Sequence, residues 1–474
     1  QSAVYSTGHR NVQGLALIGN TLFGASHGPF SDDEVNVLEA DKNYGHPRVI
    51  GYSNDGNYDN AKAGPIGSSL PLITTETAEA AAMGNYKDPI YSFYAAPAGN
   101  TSTPWSIQYI YTNTASSQNQ NQFWSSIAPS GMEAYNSTLI PGWKNSLLLA
   151  SLKKGYMMRI KPNSTYTGVE SIGGADTAVL FNSQNRFRDL AFAPNGRDIY
   201  AVVDRSGSTS GPTSDNPVSS ACAGCILKYT FLGYNSSAGT STIPATIPID
   251  AGTLNNCATG TSVTINAANS NTNLWVPLTG PNGNIIAEIN ANGNNLGNVT
   301  SSFYVQSGSP VRSAAGNNKY LNRNITINVQ NQPVSDVSVR LYLTSTELQD
   351  MVNTPGSGVT SINDIGIFKN NDACGSTISA IPYAQTITGR YTQSTFGHAI
   401  QATISSFSTF YFMSTSSTLP ANVITFKANA VGDAAKLLWA VEDQENVKTY
   451  VIERSRNNIN FAASGSVDAR GNAG

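Results

Sequence analysis

Four short polar segments of the chain carry residue types that could do chemistry. Residues 8–14 read Gly-His-Arg-Asn-Val-Gln-Gly, and residues 27–36 read His-Gly-Pro-Phe-Ser-Asp-Asp-Glu-Val-Asn. The second segment joins three consecutive carboxylates to a Gly-Pro step whose carbonyls can point outward. Such a turn suits a hard, oxygen-seeking cation, Ca²⁺ above all. The alternative is a solvated acidic turn that binds nothing.

The other two segments add cations. Residues 151–155 (Ser-Leu-Lys-Lys-Gly) contain Lys153, and residues 185–189 (Asn-Arg-Phe-Arg-Asp) contain Arg186 and Arg188. Two arginines at positions i and i+2 of a strand face the same side and can clamp a carboxylate or a phosphate. The alternative is surface charge along a strand edge. If these cations and Arg10 meet unpaired in one concave site, as expected, they repel one another, and a bound anion would explain them.

The elements that must position these residues are strands. Residues 190–204 predict a strand, a Pro-Asn-Gly turn and a second strand, and residues 14–26 predict the same hairpin. No helical periodicity of useful length is present. A hairpin that recurs far apart in the chain is typical of propeller blades. The fold class is therefore predicted as all-β.

Composition and spacing divide the chain of 474 residues into segments. Residues 1–233 carry the hairpins, and the Ser/Gly/Thr-rich residues 234–242 predict a linker. Period-2 strands rich in Asn and Thr predict a β-sandwich over 243–420. Residues 421–474 predict the start of a further sandwich that is too short to close a core.

Charge and cysteine usage narrow the classes of function. Only 12% of the residues are charged and the formal net charge is −3, so no nucleic-acid partner is expected. The even number of cysteines and an extracellular type of composition favour disulfides, Cys222 with Cys225 and Cys257 with Cys374. The sequence contains no run of eighteen apolar residues, so no transmembrane helix is predicted. The start at Gln1 is expected to be processed or truncated.

Taken together, the four segments resemble the soluble PQQ-dependent sugar dehydrogenase family, in both its glucose and its aldose branches. Ile127-Ala-Pro-Ser-Gly131 and Pro141-Gly-Trp-Lys-Asn-Ser-Leu-Leu-Leu149 match further hallmarks of that family. The resemblance covers about residues 5–233 and implies a six-bladed propeller, of which about three blades are present here. Residues 436–461 resemble the fibronectin-like module of type IX secretion cargo from Bacteroidetes.

The family resemblance implies a role for each matching residue. Arg10 and Asn11 would lie against pyrroloquinoline quinone (PQQ), and Lys153, Arg186 and Arg188 would pair with its carboxylates. Gly28 and Pro29 would offer main-chain oxygens to the calcium of the cofactor, while Glu34 and the Tyr44 carbonyl would bind a second, structural calcium. The general base of the family is a histidine in an earlier blade, upstream of residue 8. Either a separate chain supplies those blades after cleavage, or they belong to the same chain.

The function predicted from these residues is the PQQ-dependent oxidation of an aldose to its lactone, with transfer of electrons to an external acceptor. The protein is expected to be exported across the outer membrane of a Gram-negative bacterium and to be secreted or held at the cell surface. The rival hypothesis, from another class, is a structural or adhesive surface protein that keeps a degenerate propeller as a scaffold. The enzyme hypothesis is favoured because the chain retains several matching residues together: Lys153, Arg186, Arg188 and the Gly28-Pro29 loop.

Overall fold

The architecture comes from a computed structural model and is nearly all-β, which confirms the predicted class. The structure describes residues 3–64, 68–97, 107, 125–172, 174–183, 185–205, 222–235, 248–252, 255–314, 318–378, 383–393, 397–415, 422–432, 434–442, 449–455 and 461–469. None of the helices in these ranges is long and apolar enough to cross a membrane.

The first half of the chain forms three small antiparallel sheets in which the strands follow one another in chain order. The first sheet contains β1 (Val12–Ile18), β2 (Thr21–Ser26), β3 (Asp33–Leu38) and β4 (Tyr91–Phe93). The second contains β5 (Pro129–Tyr135), β6 (Ser146–Ser151), β7 (Met157–Ile160) and β8 (Thr177–Leu180). The third contains β9 (Phe187–Phe192), β10 (Asp198–Val203) and β11 (Ile226–Thr230). Both predicted hairpins, β1–β2 and β9–β10, are confirmed.

These sheets form what we call the three-sheet stack, because each packs face to face on the next. The first strands of the sheets, β1, β5 and β9, are neighbours in space. Apolar residues that alternate along the strands fill one core between the first two sheets and another between the second and the third. The stack therefore brings one end of each first strand to a common edge, where the segments predicted to do chemistry lie.

A long excursion from residue 39 to residue 90 separates β3 from β4 and contains the helix α1 (Glu76–Met83). Thr75 caps α1 by accepting a hydrogen bond from the backbone N–H of Ala78. The helix α1 has eight residues, too few for a helical period to stand out in the sequence, and a second short helix, α2 (Ser345–Asn353), has nine. In α2 the spacing Thr344-x-x-Glu347 forms a capping box, a signal that the sequence itself contains.

The second half of the chain forms two larger sheets. The eight-stranded sheet contains β12 (Ala258–Thr259), β13 (Val263–Ile265), β16 (Gly297–Val305), β17 (Val311–Ser313), β18 (Lys319–Val329), β20 (Ile365–Asn370), β21 (Tyr383–Ala384) and β24 (Thr409–Ser414). The five-stranded sheet contains β14 (Trp275–Thr279), β15 (Ile285–Asn290), β19 (Val337–Thr344), β22 (Thr386–Gln393) and β23 (Gly397–Ile404). Side chains from both sheets share one hydrophobic core.

Both predicted disulfides are present. Cys257 is bonded to Cys374 across a separation of 117 residues, and Cys222 is bonded to Cys225. The longer bridge therefore joins distant parts of the region that forms the two larger sheets.

Main-chain contacts join the three-sheet stack to the five-stranded sheet. Tyr234 pairs with Trp275, and the N–H of Gly142 donates to the carbonyl of Gly283 at 2.8 Å. The expected linker, residues 234–242, lies outside the described residues from position 236 onward. Beyond the larger sheets, β25 (Asn422–Val431) pairs with β26 (Ala434–Glu442), and β27 (Thr449–Ser455) pairs with β28 (Phe461–Asp468).

Candidate functional site

The candidate site lies at the edge of the three-sheet stack where β1, β5 and β9 begin and β2 and β6 end. We call this edge the rim, and it carries Arg10, His27, Lys153, Arg186 and Arg188. The chain separates Arg10 from Arg188 by most of the stack, so only the packing of three sheets brings them to the rim.

The rim is organised by Asp33, the first residue of β3. One of its carboxylate oxygens accepts from the N–H of Gly28 at 3.0 Å. The other accepts from the N–H groups of Ile127 and Ala128, at 2.7 and 3.2 Å, and from the Ser126 hydroxyl at 2.7 Å. Asp33 is fully buried, so these bonds are charge-assisted and shielded from water. Asp33 therefore ties the loop after β2 to the loop before β5.

Lys153 follows β6 and is the most buried cation of the rim, with an exposed fraction of 1%. Its backbone N–H donates to the carbonyl of Ile127 at 3.4 Å, which places it beside the loop held by Asp33. Burial, and secondarily the neighbouring Lys154, lower the pKa of Lys153 to about 8, while Asp33 partly opposes the shift. An ammonium group in this position would be stabilised by a further anion.

Arg186 and Arg188 share one acidic partner that the sequence reasoning missed. The Nη2 atom of Arg188 lies 2.8 Å from Oδ2 of Asp204, and the Nη2 atom of Arg186 lies 3.6 Å from the same oxygen. The expectation of unpaired cations was therefore wrong for these two. The signal was available, because the β9–β10 hairpin places Asp204 opposite Arg186, whose carbonyl accepts from the Asp204 N–H at 2.7 Å.

The two arginines differ in exposure. Arg186 is buried and donates to the carbonyl of Leu152 at 3.0 Å, while the side chain of Arg188 is 45% exposed. Burial lowers the pKa of Arg186, and Asp204 partly compensates. Arg188 also reaches Gln13 of β1 at 3.4 Å, so the third sheet contacts the first at the rim. Arg188 is the member of the pair that faces solvent.

The segment around Arg10 lies on the same rim. Nη1 of Arg10 donates to the carbonyl of His27 at 3.3 Å, and the backbone of Asn11 bonds to Ser26 and His27 at 3.2 and 3.1 Å. Nε2 of His27 donates to the carbonyl of Pro129 at 2.7 Å, which fixes the proton on Nε2. Burial lowers the pKa of His27, so the ring is neutral at pH 7. His27 therefore connects the loop after β2 to the start of β5.

The three consecutive carboxylates of the second segment do not share one site. Asp32 is buried and accepts from Ser92 and Asn57 at 2.9 and 2.8 Å, and burial raises its pKa well above the usual range. Glu34 accepts from the N–H of Gly51 at 2.8 Å, and burial raises its pKa to about 7. With Asp33 at the rim, successive side chains leave the chain in different directions. The segment is thus neither a solvated turn nor a single carboxylate cage.

The remaining predicted metal ligands are main-chain oxygens or lie apart from the rim. A Cβ on Gly28 would overlap the Ser31 carbonyl oxygen, so only glycine fits this turn. The Tyr44 ring stacks on His9 at 4.8 Å, and its hydroxyl donates to the carbonyl of Val37 at 2.5 Å. Within the described ranges, no group of three or more His, Cys, Asp or Glu residues is arranged to hold a metal ion. The calcium roles of Gly28, Pro29, Glu34 and Tyr44 stay predictions.

The rim fits an anionic ligand by its donor set. Four cations, Arg10, Lys153, Arg186 and Arg188, lie on it. Among the described residues, Asp204 forms ion pairs with Arg186 and Arg188, and the charge of Asp33 acts on Arg10 and Lys153. Asp33 already accepts four hydrogen bonds, so it has little capacity left for the cations. A polycarboxylate would meet both the charge and the fork geometry of the arginines.

Comparison with known proteins relates this half of the chain to sugar-oxidising enzymes. Residues 1–92 and 94–210 match the family described as Glucose / Sorbosone dehydrogenase. Over 245 residues the chain is 32% identical to quinoprotein glucose dehydrogenase B of Acinetobacter calcoaceticus, which covers 48% of each protein. It is 24% identical over 211 residues to the aldose sugar dehydrogenase YliI of Escherichia coli, covering 44% of this chain and 42% of that protein.

A PQQ-bound aldose sugar dehydrogenase from Streptomyces coelicolor is a similar solved structure, at 21% identity and a TM-score of 0.28, covering 48% of this chain and 46% of that one. The chain spans about half the length of the curated relatives it matches. The sequence similarity relates residues 1–210 to a family of sugar-dehydrogenase oxidoreductases.

Proposed function

We propose that the rim binds PQQ and that the protein oxidises the anomeric hydroxyl of an aldose to give a lactone. The observation that carries this proposal is the gathering of Arg10, Lys153, Arg186 and Arg188 at one edge, with a buried Lys153 whose pKa burial lowers. PQQ is a tricarboxylate, and such a ligand offsets the repulsion among these cations. When bound there, PQQ would supply the hydride acceptor, and Ca²⁺ would supply a Lewis acid for its quinone carbonyl.

Each residue of the rim has a proposed task in that function. Lys153, Arg186 and Arg188 hold the carboxylates, and Arg10 and Asn11 lie against the cofactor. The carbonyls of Gly28 and Pro29 hold the Ca²⁺ of the cofactor, and Glu34 with the Tyr44 carbonyl holds a structural Ca²⁺. Asp33 acts as a positioning residue, because it joins the Gly28 turn to the loop before β5. The hydroxyl proton goes to a histidine of a further blade.

The two ends of the three-sheet stack support the proposal that further blades complete a ring. On β1, Ala16 and Ile18 pack on the second sheet, while Leu15 and Leu17 point away and are more than half exposed. On the other end, Tyr200, Val202 and Ile226 form an exposed apolar face on β10 and β11. Exposed apolar faces of this kind mark surfaces that pack against other elements. We propose that blades from the same gene product or from a separate chain cover both faces.

The setting of the protein is also a proposal. Two disulfides and a surface poor in charge favour an oxidising compartment, so we propose export to the cell surface or the medium. An external electron carrier would then reoxidise the cofactor. The type IX secretion route, the Bacteroidetes origin and the fibronectin-like end of the chain rest on the resemblance of residues 436–461 alone.

A PQQ titration tests the proposal. The full-length protein is titrated with PQQ in the presence of Ca²⁺ and followed by its absorption spectrum and by calorimetry. Because Arg186→Ala with Arg188→Ala removes two charge-assisted contacts of about 1.5–3 kcal/mol each, binding should weaken at least about 100-fold. Arg48→Ala is the matched control, since Arg48 forms a surface ion pair with Glu79 at 3.1 Å, apart from the rim. The variant should retain parental binding.

The same titration separates the enzyme from the scaffold hypothesis. If the double variant binds PQQ as tightly as the parent, or if the parent does not bind it, the cations of the rim have another purpose and the scaffold hypothesis leads. Unchanged circular dichroism of the variants shows that a loss of binding is not a loss of fold.

A further inference from the structure

A second site lies at the outer edge of the three-sheet stack. A cavity of about 440 Å³ opens between β8 of the second sheet and β11 of the third, where residues 140–143 and Tyr234 approach. Its volume is within the range of about 300–1,000 Å³ that small-molecule sites occupy. It is separate from the rim, because it lies at the last strands of the second and third sheets and none of the five rim residues lines it.

The wall of the cavity is mostly aromatic. Trp143, Phe181, Tyr229, Phe231 and Tyr234 line it, together with aliphatic residues of β8 and β10. Phe181 and Tyr229 pack with their ring centres 4.3 Å apart, and Phe231 meets Tyr234 edge to face at 5.6 Å. Apart from the tyrosine hydroxyls, the wall offers few hydrogen-bond acceptors, so it suits a flat apolar body better than a polyol.

One charged residue, Arg159 of β7, belongs to this wall. It is buried, its Nη1 donates to the carbonyl of Gly142 at 3.1 Å, and its guanidinium lies 5.0 Å from the centre of the Trp143 ring. In the part of the chain that the structure describes, no carboxylate lies within ion-pair distance of Arg159. Burial lowers its pKa to about 10, so the group stays charged at pH 7.

A buried guanidinium without a counter-ion is costly. One hydrogen bond to a carbonyl and one aromatic face offset only part of the loss of water. The remaining nitrogens, Nε and Nη2, make no hydrogen bond to the described residues. They are the donors that a planar carboxylate accepts as a pair.

We propose that this cavity binds a small aromatic carboxylate, whose carboxylate pairs with Arg159 and whose ring packs among Trp143, Phe181 and Tyr229. A phosphate ester fits less well, because a dianion needs more donors than a single arginine presents in an apolar wall. The site lies beside the main-chain contact between Tyr234 and Trp275.

Calorimetric titration with a matched pair of probes tests this assignment. Indole-3-acetate carries the carboxylate, and indole-3-acetamide has the same ring without the charge. The acid should bind the full chain at least 10-fold more tightly than the amide. Arg159→Met should abolish that preference, whereas Lys161→Met should keep it, since Lys161 lies two residues further on and pairs with Glu170 at 3.3 Å.

A second variant covers the case in which Arg159→Met does not fold. Ala178 is the cross-strand partner of Arg159, and Ala178→Trp fills the cavity from β8 while the guanidinium stays in the chain. This variant should reduce binding of the acid at least 10-fold. Equal binding of acid and amide by the parent, no binding of the acid at millimolar concentration, or full binding by Ala178→Trp would overturn the proposal. None of these results depends on PQQ.

Discussion

Lys153→Met should change the stability of the rim in a manner that depends on pH. Lys153 is buried, and burial together with Lys154 lowers its pKa from 10.5 to about 8. The difference corresponds to about 3 kcal/mol of preference for the neutral amine in the folded protein. Since the folded pKa lies below the unfolded one, the stabilisation is present above pH 10.5 and is lost as the pH falls through 8. The charged amine therefore weakens the folded rim most below pH 8.

Methionine removes the charge and keeps the length of the side chain. Relative to the parent, Lys153→Met should gain up to about 3 kcal/mol on going from pH 10.5 to pH 7, which is about a 100-fold slower local opening. Protection factors of peptides that cover residues 145–160, measured by hydrogen exchange with mass spectrometry at several pH values, report this gain locally. A global melting curve is less suitable, because a chain of several sheets need not unfold in one step.

Lys154→Met is the matched control, because it leaves the buried ammonium in place and removes only the smaller cause of its pKa shift. Its pH-dependent gain should therefore be much smaller than that of Lys153→Met. If Lys153→Met stabilises the rim equally at pH 7 and at pH 10.5, the protonated amine of Lys153 does not destabilise the folded rim, and the reasoning is refuted. A bound polycarboxylate should restore the pKa of Lys153, so PQQ binding near pH 9 should take up a proton in the parent and not in Lys153→Met. Titrations in buffers of different ionisation enthalpy measure that uptake.

Two other substitutions test the architecture. Asp33→Asn replaces a carboxylate that accepts four hydrogen bonds by an amide whose NH₂ group must face one of the donors, so the loop at Ile127 and Ala128 should open about 3 kcal/mol more easily. Unchanged hydrogen exchange of the Ile127 and Ala128 amides would contradict the role of Asp33. Asp176→Asn, at an exposed site, is the control. Replacing Cys257 and Cys374 by serine opens a loop of 117 residues and should cost the two larger sheets about 4–5 kcal/mol, measured by urea unfolding with and without reductant. A parental midpoint in the serine variant would show that the bridge adds no stability.

Local features of this protein could be read from the sequence because their causes are local. The β1–β2 and β9–β10 hairpins follow from period-2 alternation and from turns at Gly19 and Gly196, where φ is 57° and 67°. The disulfides follow from four cysteines with one close pair and one distant pair. The sequence also contains the capping-box pattern of Thr344 and Glu347, although it stands next to residues whose alternation predicts strands.

The sequence also identified the candidate cations, whereas it did not identify the acidic residues that pair with them. Arg186 and Arg188 share Asp204 because of the register of one hairpin, and Lys153 is buried because two sheets stack. Asp33 and Glu34 are adjacent residues of β3 and face opposite sides, toward the rim and toward Gly51. Asp32 precedes the strand in a left-handed conformation, with φ of 61°, and joins a buried network.

The tertiary structure alone decided the environment of each charge. The sequence does not distinguish Arg159 from any other arginine in a strand. It becomes a candidate ligand-binding residue only because β8, β11 and the loop before β6 enclose it among aromatic rings. Side-chain type and local period are properties of neighbouring residues along the chain. Burial, pKa and partner depend on which distant sheets meet, and that follows from packing over the whole stack.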